Sequence, residues 1–355
     1  MDVAGVRLGL VVYMDMDSFF AACEELRHPE LKGKPFVVGT SSDTDSRGVV
    51  QTASYEARKY GIKSGMGLFM AKKAYPELVV LKSDEVYYES TSDKIMAVLN
   101  GFGFPVEQNS VDEAAIDVGD VGYDKAIEIG KEIKGRIKEK IDLPCTIGVS
   151  VGKYFAKMMC DASKPDGFGV LRESEIQGFL RGKPIGKLPG VGKKTEERLL
   201  AMGIKTIDDL ANANLQSLIS KFGSAAIEMH NLARGIDKSR IVQYNIIKSI
   251  GRERTLDSDT NDIAVQEKML LTLSEEVGGD AAGKGYWFKA VGLKVRYSDF
   301  SQITRSRQLS HYSSSKEDIY RIAKELLRGT QADISVRKLG VRVFMLIKRS
   351  GQATL

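Results

Sequence analysis

Two short apolar segments meet closely spaced acids, and this constrains the chain more than any other feature. Leu10-Val11-Val12-Tyr13-Met14 runs into Asp15 and Asp17, and Asp112-Glu113 stands inside Asn109-Ser110-Val111-Asp112-Glu113-Ala114-Ala115-Ile116. A carboxylate at a strand end loses hydration and repels its neighbour unless a cation lies between them. Mg²⁺ takes oxygen ligands, accepts few of them from protein, and completes its shell with phosphates and waters. Acids brought from distant positions to strand ends therefore point to two-metal phosphoryl transfer. Solvated turns also place acids after strands, so neither pair taken singly excludes an ordinary turn.

At 355 residues the chain has room for two or three domains. No apolar stretch approaches the ~20 residues a transmembrane helix needs, so no membrane partner is expected. Residues 1–8 lack the basic and apolar regions of a signal peptide. Cys23, Cys145 and Cys160 form no Cys-x-x-Cys pair, and there are only three histidines. That argues against a zinc site or disulfide framework and predicts a cytoplasmic protein. Charge is uneven: residues 241–355 hold 19 Lys and Arg against 13 Asp and Glu, a net of +6. The first 240 residues hold the remaining 33 basic and 34 acidic residues. A basic C-terminal third beside a neutral remainder suggests nucleic acid gripped by one part and processed by another. A solvated basic surface is the plainer alternative.

Hydrophobic periodicity predicts an α+β layout over the first 170 residues. Strands are expected at 8–14, 35–39, 49–52, 79–81 and 146–151. Helices are expected at 18–27 with Ser18 as cap, and at 54–60, 67–75, 83–99, 124–140 and 153–163. Segments 106–109 and 114–118 read as a hairpin with Asp112 and Glu113 at its tip. Residues 172–234 are helical. Residues 235–244 are polar and without period, and read as a linker. The remainder reads strand, helix (262–277), strand (287–297), strand (301–309), helix (316–327), strand (338–347), a ferredoxin-like β-α-β-β-α-β order.

Leu188-Pro189-Gly190-Val191-Gly192-Lys193-Lys194 opens a helix expected to end near Gly203. Gly190 and Gly192 allow a tight turn that leaves amide groups open to an anion, and Lys193 and Lys194 add attraction. This resembles a helix-hairpin-helix motif, which binds a DNA phosphate without reading bases. A helical packing corner is the alternative. Tyr55 and Arg58 lie three apart on one helix face, and Lys164 follows a helix. Arg58 and Lys164 together would neutralise a triphosphate, although each alone also suits a solvated surface. Phe19-Phe20 lies beyond the first acids. A ring there would exclude a 2′-OH, although helix core is the ordinary role of such residues.

Tyr13-Met14-Asp15-Met16-Asp17-Ser18-Phe19-Phe20, Ala53-Ser54-Tyr55-Glu56-Ala57-Arg58, Ser110-Val111-Asp112-Glu113, Ser163-Lys164-Pro165-Asp166-Gly167 and the Leu188 hairpin occur in one order. In that order the chain resembles Y-family translesion DNA polymerases, nearest the DinB, or DNA polymerase IV, branch. The resemblance spans nearly the whole chain. It implies a right-hand architecture: palm at 1–18 and 84–172, fingers at 19–83, and a helix-hairpin-helix thumb at 173–235. A linker would follow at 236–247, then a little finger at 248–350 and a tail at 351–355. By the same resemblance, Asp15, Asp112, Glu113 and the Met16 carbonyl would hold two Mg²⁺ ions, with Mn²⁺ as an alternative. Phe19, Phe20, Thr52, Tyr55, Arg58 and Lys164 would contact the nucleotide, Phe20 as sugar gate, while Asp17 would be structural. Gly65-Met66-Gly67 would cover the template base, with Gly67 where relatives often carry Pro. DNA contacts would come from Gly190, Gly192, Lys193 and Lys194, and in the little finger from Arg252, Arg254, Arg305, Arg307, Arg337 and Lys338. The implied activity is low-fidelity, template-directed extension of a primer with dNTPs past damaged bases, by a monomer without a proofreading exonuclease. Gln352-Ala353-Thr354-Leu355 resembles the first half of a sliding-clamp-binding motif whose aromatic half is missing. Competing readings are a nucleotidyl cyclase and a non-catalytic DNA-binding accessory protein of the same fold.

Overall fold

The apolar run near the head of the chain folds as a strand buried at all seven residues, Leu10–Met16. Burial on both faces explains an apolar run without alternation. The structure is a computed structural model and describes residues 9–43, 47–243, 247–330 and 333–349. The chain separates into two units, Met1–Asn245 and Ile246–Leu355.

The first unit begins with β1 (Leu10–Met16), α1 (Phe19–Arg27), β2 (Phe36–Gly39), β3 (Val50–Ala53), α2 (Tyr55–Arg58), α3 (Leu68–Ala74) and β4 (Val79–Lys82). It continues with α4 (Glu85–Asn100), β5 (Val106–Gln108), β6 (Glu113–Gly119), α5 (Tyr123–Ile141), β7 (Cys145–Val151), α6 (Lys153–Ser163) and β8 (Phe168–Leu171). β1 is the centre of a five-stranded sheet ordered β5-β6-β1-β7-β8. Val12, Met14 and Met16 share a core with Ile95 and Leu99 of α4 and Ile129 and Ile133 of α5. Val11 and Tyr13 point the other way, to Ala156 and Cys160 of α6. Gly148 of β7 lets α6 approach closely: a Cβ there would lie 2.1 Å from the Ala156 carbonyl oxygen and 2.4 Å from the Cys160 amide nitrogen. A smaller sheet, β3-β2-β4, packs Val37 and Val50 against Ala57 of α2 and Leu68 of α3.

Helices complete this unit: α7 (Ile176–Leu180), α8 (Lys193–Leu200), α9 (Ile207–Asn212), α10 (Leu215–Phe222) and α11 (Ala225–Ala233). Thr206 and Asp209 form a capping box at the start of α9, and Asn214 caps α10. Gly190 takes φ +85°, which lets the chain turn into α8. α8 ends three residues before Gly203, where the Ile204 amide donates back to the Leu199 carbonyl at 3.0 Å.

Three findings differ from or add to the expected layout. β8 was not expected; it is four residues long, contains Gly169 and pairs parallel with β7, a signal too short for periodicity. Ser18 precedes α1 as expected but makes no capping bond, because its backbone is left-handed (φ 48°). The first part of the polar stretch read as linker is anchored on this unit. Asp237 is buried and accepts from the Tyr154 amide at 2.7 Å, and the Val242 amide donates to Glu107 Oε2 at 2.9 Å.

The second unit runs β9 (Ser249–Thr260), α12 (Ile263–Gly283), β10 (Tyr286–Tyr297), β11 (Gln302–Ser313), α13 (Lys316–Arg328), β12 (Val336–Phe344) and β13 (Ile347–Lys348). Its sheet order is β11-β10-β12-β9, with β13 on β10. This is the expected ferredoxin-like unit, and α12 runs past the expected end at 277 to Gly283. The core joins Leu270, Leu273 and Val277 of α12 to Val291, Leu293, Leu339 and Val341 of the sheet.

Because α6 rests on the bare backbone at Gly148, Gly148→Ala is expected to destabilise the first unit by about 3 kcal/mol. Urea unfolding should show the loss in the first unit's transition and leave that of the second unit in place.

Candidate active site

β1 puts Asp15 opposite Glu113 of β6 on one side and opposite Thr146 of β7 on the other. The Met16 amide donates to the Asp112 carbonyl at 2.9 Å, which ties the hairpin tip to the end of β1. Like charges directly opposed across strands are destabilising. Here two ammonium groups offset them. Lys164 Nζ lies 2.5 Å from Asp15 Oδ1, and Lys157 Nζ lies 2.8 Å from Glu113 Oε1. The Tyr13 hydroxyl donates to Glu113 Oε2 at 2.9 Å and accepts from Asn109 Nδ2 at 2.9 Å. Burial, reinforced by the hydrogen bond with Glu113, pushes the Asp15 carboxyl up to about 7. Burial also pushes Glu113 up, but hydrogen bonds from Asp15, Lys157 and Tyr13 outweigh it and hold that carboxyl below its ordinary value. The opposed pair thus eases its repulsion without removing it, a proton being favoured on Asp15 relative to Glu113.

Asp17 is buried and has partners of its own. It accepts from Thr146 Oγ1 at 3.0 Å, from the Asp166 amide at 2.8 Å and from the Tyr55 hydroxyl at 3.2 Å. One carboxylate thereby fastens the loop that carries Lys164 and the helix that carries Tyr55 and Arg58. Arg58 is fixed in turn: its Nη2 donates to Ser18 Oγ at 3.0 Å, its Nε donates to the Ala53 carbonyl at 3.2 Å, and its guanidinium lies 4.8 Å from the centre of the Tyr55 ring.

A cavity of ≈ 240 Å³ collects these groups; its walls include Asp15, Met16, Asp112, Glu113, Thr52, Tyr55, Arg58 and Lys164. Phe19 also lines it, although its ring is buried in the core. Phe20 is not among the lining residues. Its half-buried ring stacks on Tyr88 at 4.3 Å, and the Tyr88 hydroxyl donates to buried Glu24 at 2.7 Å. Sequence reasoning missed Lys157 and the cavity residues Ser18 (as a lining group), Gln51 and Ser64. Gln51 Oε1 is buried without a hydrogen-bond partner. The signal for Lys157 was present: Lys153 and Lys157 are four apart on α6, and they meet Glu107 at 2.7 Å and Glu113 at 2.8 Å.

The donor set suits a hard divalent ion, being carboxylates and a main-chain carbonyl with cations already set against them. In the present arrangement Asp112 turns to Ser110 Oγ at 2.5 Å, and among the described residues no three His, Cys, Asp or Glu side chains converge on one point. Mg²⁺ needs only one or two protein carboxylates when phosphates and waters supply the remainder.

The expected DNA contacts fall into two groups. Gly192 precedes α8 without a side-chain cap, and Lys193 and Lys194 are exposed on its first turn. In the second unit, Arg252 and Arg254 stand opposite the core residues Val341 and Leu339, and Arg305 and Arg307 opposite Leu293 and Val291. All four therefore take the helix-covered side. Arg252 pairs with Asp280 and Arg254 with Glu276 of α12, each at 2.7 Å, and Arg307 pairs with Glu325 of α13. Arg337 pairs with Asp259 at 3.6 Å and covers the Phe300 ring. Lys338 alone of the six turns to the open face, opposite Arg296.

Family models match three stretches: the impB/mucB/samB family at 14–161, its C-terminal domain at 247–355, and the DNA polymerase-iota thumb domain at 186–237. A DNA polymerase IV from Methanoculleus marisnigri is 41% identical over 95% of this chain and 94% of its own. Among solved structures, a Y-family DNA polymerase chimera, Dbh-Dpo4(243-245)-Dbh, is 32% identical with a TM-score of 0.88 over 96% of this chain and 99% of its own. DinB from Sulfolobus solfataricus is 31% identical with a TM-score of 0.63 over 94% of this chain and 98% of its own. Likeness of this extent is more than a shared fold: the chain belongs to the Y family of DNA polymerases, in the DinB or DNA polymerase IV branch.

Proposed function

We propose that Asp15, Asp112, Glu113 and the Met16 carbonyl hold two Mg²⁺ ions, for which Mn²⁺ can substitute, at the end of β1. The enzyme is a DNA-directed DNA polymerase of the translesion type, and its family implies dependence on a divalent metal. The observation that carries the site assignment is the register of Asp15 against Glu113, in one cavity with Thr52, Tyr55, Arg58 and Lys164. When bound, the ions supply Lewis-acid activation of the primer 3′-OH and neutralise charge at the α-phosphate.

The side chains do the rest. Arg58 presents a planar fork already oriented by Ser18, Ala53 and Tyr55, and it takes the triphosphate. Lys164 passes from Asp15 to phosphate oxygen when the nucleotide enters, and Lys157 steadies Glu113 until then. Asp17 holds both phosphate-binding elements in place, so it acts as a positioning residue. Phe20 acts as the sugar gate, with its ring held against Tyr88. Gly65 and Gly67 flank Met66 over open space, since a Cβ at either would meet nothing within 4 Å, and that room suits a damaged template base. Gly67 has φ −62°, a value proline would also adopt, so the departure from Pro costs chain entropy rather than shape.

Primer–template DNA is gripped by the uncapped start of α8 with Lys193 and Lys194, and by the open sheet face of the second unit with Lys338. We further propose that the protein acts as a monomer. Three buried free thiols support a cytoplasmic location, and no helix of the described residues is long and apolar enough to cross a membrane. Gln352-Ala353-Thr354-Leu355 lies outside the described residues; its motif makes the replication sliding clamp a proposed partner.

Primer extension with Mg²⁺ and dNTPs tests the site. Glu113→Ala is expected to slow extension by about 10³-fold while primer–template affinity stays unchanged. Equal rates in parent and variant would remove Glu113 from the site. Competition between dNTPs and rNTPs tests the gate: Phe20→Ala is expected to raise relative ribonucleotide use about 100-fold. Unchanged discrimination would contradict the assignment.

A further inference from the structure

On the open face of the second unit's sheet, two lysines form an anion site that the chain fills itself. Along β10 and β12 the core takes Val291, Leu293, Leu339 and Val341, so Lys294 and Lys338 turn to the opposite face. Glu253 of β9 lies opposite Gly340 of β12, and Gly340 lies opposite Lys294 of β10. The Glu253 side chain crosses over Gly340. Its Oε1 comes within 2.9 Å of Lys294 Nζ, and its Oε2 within 2.7 Å of Lys338 Nζ. The crossing requires glycine, because a Cβ at position 340 would lie 2.7 Å from Glu253 Cγ. Burial pushes the Glu253 carboxyl up, but hydrogen bonds from Lys338 and Lys294 outweigh it and hold the group ionised. Glu253 and Lys294 also line a groove of ≈ 590 Å³, together with Gly251, Gly292, Gly340 and Arg342.

A carboxylate held by two ammonium groups occupies them as a phosphate would. Both anions offer two oxygens, and the lysines cannot serve both at full strength. We infer that Glu253 is an internal competitor for DNA phosphate: Lys294 and Lys338 grip the backbone only on releasing it, so Glu253 loosens the second unit's hold on the duplex. This rests on the polymerase reading above. A short-lived grip follows from the charge balance, since Glu253 cancels one of the two positive charges and returns to the lysines as the phosphate leaves.

The test measures full-chain affinity for a primer–template across a salt series. Glu253→Gln keeps the shape and removes the charge. It is expected to bind roughly 3–10-fold tighter near ~0.1 M salt, with a log K against log salt slope steeper by about one. Gly340→Ala, which displaces Glu253 without changing any charge, should move affinity in the same direction. Adding Lys294→Ala to Glu253→Gln should cancel the gain. Thermal melting confirms that each variant is folded. A parent that extends primers, with a Glu253→Gln variant that binds equally or more weakly at unchanged slope, would overturn the inference alone. Glu253 would then be only a staple of the sheet. A parent that neither binds nor extends a primer–template would overturn this inference together with the polymerase reading.

Discussion

The opposition of Asp15 and Glu113 across two adjacent strands is the constraint on which the rest of the site depends. Antiparallel pairing holds the two carboxylates together whether or not a cation is present, so the protein must offset their repulsion itself. It uses Lys164 on one, Lys157 on the other, the Tyr13 hydroxyl, and a proton favoured on Asp15. Each of these is reversible. In the proposed mechanism a divalent ion and a triphosphate take over the charges that the lysines now supply. Asp17, two residues on, anchors the flanking elements.

Much of this was legible in the sequence. A short apolar run without alternation suits a strand buried on both faces, and β1 is that strand. The β-α-β-β-α-β order of the second unit followed from alternating periods of two and 3.6, and the Leu188 hairpin followed from two glycines at fixed offsets. The remainder depended on tertiary register. Nothing local marks the four residues of β8 as a strand, because they are recruited by β7. Ser18 has the composition of a cap, but its left-handed backbone carries the side chain away from the helix amides, and its hydroxyl oxygen accepts from Arg58, forty residues away. The stretch 235–244 looks like a tether until Asp237 is seen under the start of α6. Lys157 stood on a readable helix face, but its importance became clear only once β6 supplied Glu113.

The basic character of the second unit illustrates the limit of counting charge. A net of +6 over residues 241–355 says that the region is cationic, not where. Register decides: Arg252, Arg254 and Arg307 lie on the helix-covered side and pair with acids on α12 and α13. On the open face, Lys294 and Lys338 are already committed to Glu253. Glycines at 251, 292 and 340 shape that face as much as the lysines do, since they decide which side chains can reach across strands.

The central claim is that the carboxylate pair is held in repulsive readiness, and one thermal measurement tests it directly. Melting is followed for parent and Asp15→Asn protein, first without divalent metal and then with Mg²⁺ and a dNTP. Relief of the opposition predicts that metal-free Asp15→Asn melts about 3 °C above the parent, and that Mg²⁺ with dNTP raises only the parent. A metal-free variant that melts below the parent would mean that the Asp15–Lys164 pair is a net stabilising contact, and the account of a strained pair awaiting its cation would be wrong.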